Sequence, residues 1–499
     1  MYDVAIVGSG LGGLLCGYLL SKEGYNVCII EKHHQFGGCL QTFKRDGCTF
    51  DTGMHYVGSL DEGQILWRFF RYFDLLGKVK LKKLDEDVFD LIHIAGKEYK
   101  YAQGYENYVS TLLQSFPAEK KGLENYVNKL KEIRTAIDNF IGNTSDVENM
   151  PTMKYFEQNA MDFIRSVTSD QKLQMVLAAT NPLYFGKSKT TPLYVHAVIN
   201  NSLIESSWRF VNGGGQIADS LADSIKSMGG TVLNKSEVVA FNMDKDDVRV
   251  ESVELANGEK IFSKSFISNL HPVNTLKMLN TKQIRKAYVN RINDIEQTMS
   301  VFTLYIVLKE KSFKYTNHNY YHFESENVWG ADVYDNINWP GGYMFYTPVD
   351  SNSGEYANSI NVMTYMKYEE LKEWENTSVG KRGKSYLDFK NKKAEQLLDL
   401  IEQRFPGLRS KIKKYYSSTP LTYRDYTGTV NGSVYGNIRD CNNPMKTMIS
   451  PKTRIPNLFF TGQNVNLHGV LGVSMGSLIT CAHFVGIKYI YDKVYKMKY

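Results

Sequence analysis

The stretch at residues 3–31 reads DVAIVGSGLGGLLCGYLLSKEGYNVCIIE, and it decides the fold. An apolar run at residues 4–7 predicts a buried strand, residues 14–22 predict a helix, and a second apolar run at residues 27–30 ends at Glu31. The turn between the first strand and the helix holds three glycines with the spacing G-x-G-x-x-G: Gly8, Gly10 and Gly13. This order is typical of a dinucleotide-binding βαβ unit, whose glycines allow a tight turn and close approach of a pyrophosphate. We expect Glu31 to accept hydrogen bonds from a ribose diol.

Two further glycine segments favour FAD over NAD as the dinucleotide. Residues 37–58, GGCLQTFKRDGCTFDTGMHYVG, begin with the pair Gly37–Gly38, close to the first turn, and continue a pattern that NAD dehydrogenases do not carry. Residues 456–486 read PNLFFTGQNVNLHGVLGVSMGSLITCAHFVG. They predict a buried strand, a turn at Gly462, and an apolar helix that Gly469 and Gly472 open. The N-terminus of such a helix would stabilise negative charge on a reduced flavin ring.

These motifs, together with STPLTYRDYTGTVNGSVYG at residues 418–436, resemble the FAD-dependent family of phytoene desaturases, carotenoid isomerases and retinol saturases. The likeness is strongest to the branch of retinol saturases and carotenoid isomerases, and it runs in order over essentially the whole chain. It implies noncovalent FAD, with Val238 holding the adenine through its backbone and Gln463 standing where the family often uses an acid for the ribityl chain. The cofactor contacts that the resemblance implies are Gly8, Gly10, Gly13, Glu31, Gly37, Gly38, Val238, Gly462, Gln463, Gly469 and Gly472.

The resemblance also implies an α/β fold of amine-oxidase-like flavoprotein architecture. A chain of 499 residues is too long for one ordinary core, so two domains are expected. We predict a discontinuous Rossmann-like FAD-binding domain and a second, mixed α+β substrate domain. The FAD-binding domain would comprise residues 1–60, 209–269 and 451–499, and the substrate domain residues 61–208 and 270–450.

Charge and cysteine content exclude several classes of function. The net charge of +6 is modest, and the basic residues are spread along the chain without a run typical of nucleic-acid binding, which argues against a nucleic-acid partner. The six cysteines form no C-x-x-C pair, which argues against zinc and for reduced thiols in the cytoplasm. The apolar segment near the start lacks a basic flank and already belongs to the nucleotide unit, so we expect no signal peptide. No apolar run reaches the length of a transmembrane helix.

Residues 66–83, LWRFFRYFDLLGKVKLKK, place apolar side chains on one helical face and basic ones around it. This composition suits an interfacial helix that binds a membrane surface peripherally, and equally a helix that faces the core with a solvated basic edge. Four C-terminal lysines could extend such a surface or form a frayed basic tail: Lys488, Lys493, Lys496 and Lys498. The aromatic clusters at residues 320–323 and 343–346 likewise suit either a long apolar pocket or plain core.

No metal-ligand spacing, Ser-His-Asp order or phosphate-binding loop stands out, which fits an enzyme whose cofactor carries the reaction. His55, Tyr56 and Tyr435 are the candidates for flanking the flavin and moving a proton, and the alternative is that they only pack against the ring. The resemblance implies saturation, desaturation or isomerisation of an apolar polyene or isoprenoid. The electron donor or acceptor is unidentified, and NAD(P)H is a candidate transient donor. Two rivals remain: an amine or porphyrinogen oxidase, and a non-enzymatic escort protein for prenylated proteins.

Overall fold

The computed structural model describes residues 1–142, 153–330, 333–335, 337–351 and 354–496. Its strands are β1 Tyr2–Val7, β2 Val27–Ile30, β3 Thr42–Arg45, β4 Cys48–Asp51, β5 Val57–Gly58, β6 Leu81–Lys83, β7 Asp90–Ile94, β8 Lys97–Tyr101, β9 Ser207–Phe210, β10 Thr231–Leu233, β11 Val238–Met243, β12 Val250–Leu255, β13 Lys260–Ser268, β14 Ser300–Leu308, β15 Asn319–Phe323, β16 Gly342–Tyr346, β17 Ser359–Met366, β18 Ile412–Ser418 and β19 Leu458–Phe460. Its α-helices are α1 Leu11–Lys22, α2 Ile65–Tyr72, α3 Tyr105–Leu113, α4 Lys120–Gly142, α5 Met153–Glu157, α6 Ala160–Val167, α7 Gln171–Ala178, α8 Leu193–Glu205, α9 Gly215–Ser227, α10 Pro272–Lys277, α11 Lys286–Asn293, α12 Gly383–Arg404, α13 Leu408–Lys411, α14 Pro420–Thr427, α15 Pro444–Thr447, α16 Gly469–Val485 and α17 Ile487–Ile490.

The first sheet is the predicted nucleotide-binding unit. Its order is β10-β2-β1-β13-β12-β11, and β19 also pairs with β13. Strands β10, β2, β1, β13 and β19 run parallel, while β11, β12 and the start of β13 form an antiparallel meander. Strand β2 has the predicted bounds, whereas α1 begins at Leu11, three residues earlier than expected. The earlier start includes Gly12 and Gly13 in the first helical turn.

A close helix–strand contact explains part of the glycine content of α1. A Cβ added to Gly17 would lie 2.6 Å from the Ile29 Cδ1 atom, so a larger residue would displace the Ile29 side chain or push the helix away from β2. The buried side chains of α1 also pack with α9 and α16 in one hydrophobic core. This packing holds the glycine turn at the carboxyl edge of the parallel strands, where ligands bind in open α/β sheets.

A second sheet carries most of the aromatic strands. Its order is β18-β14-β17-β16-β15-β7-β8, and β15 pairs with β7 in parallel while the other pairs are antiparallel. Strands of the first sheet come from the predicted FAD-binding segments, and strands of the second from the predicted substrate segments. The small sheet β5-β9-β6 joins both parts. The fold is therefore the expected mixed α/β architecture, and the domain boundaries stay a prediction.

The interpretation of residues 66–83 as an interfacial membrane helix is wrong, and the core-facing alternative is right. Leu66, Phe69 and Phe70 of α2 are at most 2% exposed and belong to the same core as α1. The C-terminal segment covers this face, since the Phe69 and Tyr495 rings lie 5.5 Å apart and the Arg68 guanidinium donates to the Tyr495 carbonyl at 3.1 Å. Apolar composition could not distinguish the two cases because both bury the same face.

The C-terminal segment is folded as far as residue 496, so Lys488, Lys493 and Lys496 do not belong to a frayed tail. Ile490 and Val494, which alternate with them, are fully buried in the first core. Lys498 lies outside the described residues. Among the residues that the structure describes, no helix combines the length and apolar character needed to cross a bilayer.

Candidate active site

A cavity of about 270 Å³ opens at the glycine turn of the first sheet. It is bordered by residues from distant parts of the chain, among them the first glycine turn, residues 37–58, the loop near 435 and the start of α16. The sequence-predicted residues on its border are Gly10, Gly37, Gly38, His55, Tyr56, Tyr435, Gly462, Gln463, Gly469 and Gly472. The fold thus brings together most of the residues that the motifs single out, including all three candidates for proton transfer.

Gly8 and Gly13 shape the turn from outside the border of this cavity. Gly8 has a φ of +96°, which L side chains rarely adopt. A Cβ on Gly13 would lie 2.1 Å from the Gly8 carbonyl oxygen, so the helix could not approach the turn with any larger residue. These two glycines therefore set backbone geometry, and a role in touching the cofactor stays a prediction.

Glu31 is buried at the end of β2 and already holds three hydrogen bonds. Its Oε2 accepts from the Ser9 backbone at 2.9 Å and from the Ser9 hydroxyl at 2.6 Å, and its Oε1 accepts from the His33 backbone at 2.9 Å. Carboxylate oxygens accept more than one hydrogen bond each, so a ribose diol remains a chemically suitable further donor. Val238 begins β11 beside this edge, and its side chain is buried in the neighbouring core. Neither residue borders the cavity within the described part of the chain.

Asn269 is a site residue that the motif reasoning missed. It follows β13, and its side-chain amide occupies the space that three glycines leave free. A Cβ on Gly10, Gly12 or Gly462 would lie 2.8, 2.6 and 2.6 Å from its Nδ2 or Oδ1 atom. The available signal was a polar residue directly after an apolar strand, at the sheet edge where α/β proteins place ligands.

The N-terminus of α16 faces the cavity with a neutral histidine as its cap. Burial lowers the pKa of His468 to about 4, and its Nε2 donates to the Leu183 carbonyl at 2.8 Å. Gly472 is required for packing, because a Cβ there would lie 2.5 Å from the Leu467 Cβ atom. With no positive side chain at its cap, the helix offers the cavity its backbone N–H groups and the positive end of its dipole.

Two buried polar atoms on the cavity border have no hydrogen-bond partner among the described residues. They are Oδ1 of Asn464 and Nδ1 of His55. An unpartnered buried polar atom is costly, so each is suited to pair with a polar group of a bound molecule. FAD fits this environment. Its ribityl hydroxyls can donate hydrogen bonds to the Asn464 oxygen, and its pyrophosphate can approach the backbone where glycines leave space. The residues present therefore fit the cofactor that the sequence predicts.

A second cavity of about 560 Å³ adjoins the first. It is bordered largely by the aromatic strands, including Tyr321, Phe323, Tyr343 and Met344, while Phe345 and Tyr320 of the same strands pack in the core. The aromatic clusters thus serve both purposes that the sequence left open. Four residues border both cavities: His55, Leu183, Met363 and Tyr435.

The candidate proton-transfer side chains are neutral in this setting. Burial lowers the pKa of His55 to about 4, and the nearby Gly53 backbone opposes this more weakly. Burial also raises the pKa of Tyr435 above its usual value and that of Tyr56 far above it. His55 and Tyr435 stand on the wall between the cavities, and the Tyr56 hydroxyl points to Asp90 at 2.8 Å. That any of them moves a proton stays a prediction.

Sequence and structure comparisons agree with this geometry. The NAD(P)-binding Rossmann-like domain matches residues 6–73. All-trans-retinol 13,14-reductase of Rattus norvegicus is 25% identical over 96% of this chain and 84% of its own length. Prolycopene isomerase 1, chloroplastic, of an Oncidium hybrid cultivar is 25% identical over 97% of this chain and 84% of its own. Putrescine oxidase superposes with a TM-score of 0.65 at 13% identity, covering 97% of this chain and 99% of that one.

The fold is therefore the amine-oxidase-like architecture, with a Rossmann-like unit beside a mixed α/β part. The near full-length relatives confirm the resemblance to the FAD-dependent family of phytoene desaturases, carotenoid isomerases and retinol saturases.

Proposed function

We propose that the protein is an FAD-dependent oxidoreductase that acts on carbon–carbon double bonds of an apolar polyene or isoprenoid lipid, by saturation, desaturation or isomerisation. The observation that carries the proposal is the shared wall of the two cavities, at His55, Leu183, Met363 and Tyr435. This wall places a glycine-lined space suited to a dinucleotide directly beside an aromatic space suited to an apolar chain. The activities named for the two relatives support the substrate class.

We infer that FAD binds noncovalently in the first cavity. Gly10 and Gly38 would face its pyrophosphate, Asn464 its ribityl chain and the N-terminus of α16 its ring. The one thiol on the border, Cys39, is held in its unreactive form because burial raises its pKa to about 11. Release of intact FAD by acid precipitation supports this mode. Flavin that stays with the precipitate, or is released as FMN, contradicts it.

The side chains around the shared wall orient an apolar ligand and exclude water. A bound flavin supplies hydride exchange with a substrate carbon. Neutral His55 and the protonated Tyr435 phenol leave the wall uncharged, so an apolar polyene meets no ionic group there. Electrons would come from a separate partner, for which NAD(P)H visiting the flavin transiently is our candidate.

The experiment that tests the function uses oxidised and dithionite-reduced protein under anaerobic conditions. Each form is incubated with retinoids, carotenes, amines and porphyrinogens, while flavin absorbance and product mass are followed. A gain of two hydrogens identifies a saturase, a loss of two a desaturase, and unchanged mass with altered retention an isomerase. Reduction of the flavin by amines or porphyrinogens alone favours that rival class instead. Purified protein without flavin favours an escort protein.

We also propose peripheral contact with a membrane surface, because an apolar polyene partitions into lipid. The buried face of α2 does not supply this contact. Co-sedimentation with anionic vesicles at low and high salt tests it.

None of the six cysteines is in a disulfide, which supports a reducing, cytoplasmic compartment.

A further inference from the structure

A buried carboxyl connects to the site through two tyrosine hydroxyls. Asp90 opens β7 and is fully buried. Its Oδ2 lies 2.8 Å from the Tyr56 hydroxyl, and its Oδ1 accepts from the Asn319 side-chain amide at 2.6 Å. The Tyr56 and Tyr321 hydroxyl oxygens are 3.0 Å apart. Tyr56 and Tyr321 are 7% and 2% exposed, so this chain of groups lies in the interior of the protein.

The surroundings of Asp90 hold its carboxyl near the point of titration. Burial raises the pKa of Asp90 to about 7, while hydrogen bonds from Asn319 and Tyr56 and the charge of Arg209 oppose that rise. The Arg209 guanidinium donates a hydrogen bond to the side-chain oxygen of Asn319, which positions its charge near Asp90. The other titratable groups that face Asp90 are the phenols of Tyr321, Tyr101 and Tyr108. Their pKa values are all raised, mainly by burial, so they stay protonated near neutral pH.

The three groups can be hydrogen-bonded in either of two directions. When Asp90 is protonated, its O–H donates to Tyr56, and Tyr56 in turn donates to Tyr321. When Asp90 is ionised, Tyr321 donates to Tyr56 and Tyr56 donates to the carboxylate. Both arrangements satisfy the same oxygens at the same distances, 2.8 and 3.0 Å. The first arrangement holds one proton more than the second, so switching from the first to the second releases one proton at Tyr321, which borders the second cavity.

We propose that Asp90, Tyr56 and Tyr321 form a proton wire that stores one proton at the Asp90 carboxyl and exchanges it with a ligand in the second cavity. The inference rests on the proposed function, because saturation of a double bond needs a proton on one carbon when the other receives a hydride. Tyr321 gives its phenol proton to that carbon, whose π electrons form the new C–H bond. Tyr56 reprotonates Tyr321, and Asp90 reprotonates Tyr56. Asp90 is left as a carboxylate, and between turnovers water in the emptied second cavity returns a proton to it through Tyr321 and Tyr56. Desaturation uses the wire in reverse.

The first test reads the stored proton without any turnover. Infrared spectra of purified wild type, Asp90→Asn and Tyr108→Phe are recorded from about pH 5 to about pH 9. Tyr108 is the matched control, because it is a buried tyrosine near Asp90 that takes no part in the hydrogen bonds joining Asp90, Tyr56 and Tyr321. We expect a carbonyl band of a protonated carboxyl that titrates near neutral pH, is kept in Tyr108→Phe and is lost in Asp90→Asn. The difference spectrum separates it from Asp51, whose pKa burial also raises to about 7. A spectrum in which Asp90→Asn removes no titrating band refutes the wire.

The second test measures the pH dependence of a single turnover with a polyene. In the saturating direction, the wild-type rate should fall about tenfold for each pH unit above the midpoint of the Asp90 titration. In the desaturating direction, the rate should instead fall as the pH drops below that midpoint. Asp90→Asn and Tyr321→Phe should be at least about tenfold slower and lack this limb, and Tyr108→Phe should match the wild type. If Asp90→Asn does not fold, Tyr321→Phe alone decides. A wild type that converts no polyene refutes the proposed function. A limb that persists in the folded variants refutes only the wire.

Discussion

Replacing two glycines of the first turn by alanine should change two different properties: FAD affinity for Gly10 and stability for Gly13. Gly10 has a φ of −60°, which alanine adopts freely, and its new Cβ would meet only the flexible Asn269 side chain, at 2.8 Å. We expect Gly10→Ala to fold and to lose flavin affinity, because the methyl group enters the space by which a pyrophosphate approaches. Gly13→Ala should instead lose stability, because its Cβ would lie 2.1 Å from the Gly8 carbonyl.

The expected magnitudes follow from what must move in each case. In Gly10→Ala a side-chain amide turns aside, so the free energy of unfolding should change by less than about 1 kcal/mol. Its FAD dissociation constant should rise at least tenfold, or about 1.4 kcal/mol. In Gly13→Ala two backbone segments must separate by nearly an ångström, which should lower the free energy of unfolding by about 3 kcal/mol or more. This loss outweighs the gain of about 1 kcal/mol from the higher helix propensity of alanine.

Denaturant unfolding of the flavin-free protein and fluorescence titration with FAD separate the two effects. Gly24→Ala is the control, because Gly24 has no atom within 4 Å of its Cβ position and lies outside the cavity border. It should keep the wild-type FAD affinity despite some backbone strain at its φ of +84°. Wild-type FAD affinity in Gly10→Ala, or wild-type stability in Gly13→Ala, would contradict the roles given to these two glycines.

Three further outcomes follow from buried or partnered side chains. Glu31→Ala should weaken FAD binding and also destabilise the flavin-free protein by about 1–3 kcal/mol, because it leaves the buried Ser9 donors unpaired; equal unfolding curves would contradict this. Burial raises the pKa of Asp51 to about 7 from 3.8, so its contribution to stability is full below about pH 4 and declines as the pH rises to about 7. Asp51→Asn, which can still accept from the Gly214 N–H, should therefore flatten the pH dependence of unfolding in that range, and an unchanged slope would show that Asp51 is not the group. Arg68→Glu should lower the melting temperature, because it removes hydrogen bonds to two backbone carbonyls, and it should leave co-sedimentation with vesicles unchanged. Reduced co-sedimentation would instead show that α2 contacts the membrane.

The parts of this fold that could be predicted are those that local sequence determines. Strand β2, the glycine turn and the start of α16 depend on apolar periodicity and glycine positions within short segments. Asn269 could not be assigned from the sequence because its role depends on β13 lying beside β1, more than 250 positions away in the chain. Asp90 is similar, since an acid before LIHI reads as ordinary strand alternation until Tyr56 and Asn319 are placed against it.

The wall that separates the two cavities has a thermodynamic consequence. His55, Leu183, Met363 and Tyr435 come from four separate segments and contact both spaces, so a molecule in either cavity restricts the same side chains. Whatever ordering the first ligand imposes on them is already complete when the second arrives. Occupancy of the two cavities is therefore reciprocal: the factor by which flavin changes the affinity for a polyene equals the factor by which the polyene changes the affinity for flavin. Because prior ordering favours the second ligand, flavin should bind more tightly when an apolar ligand fills the second cavity.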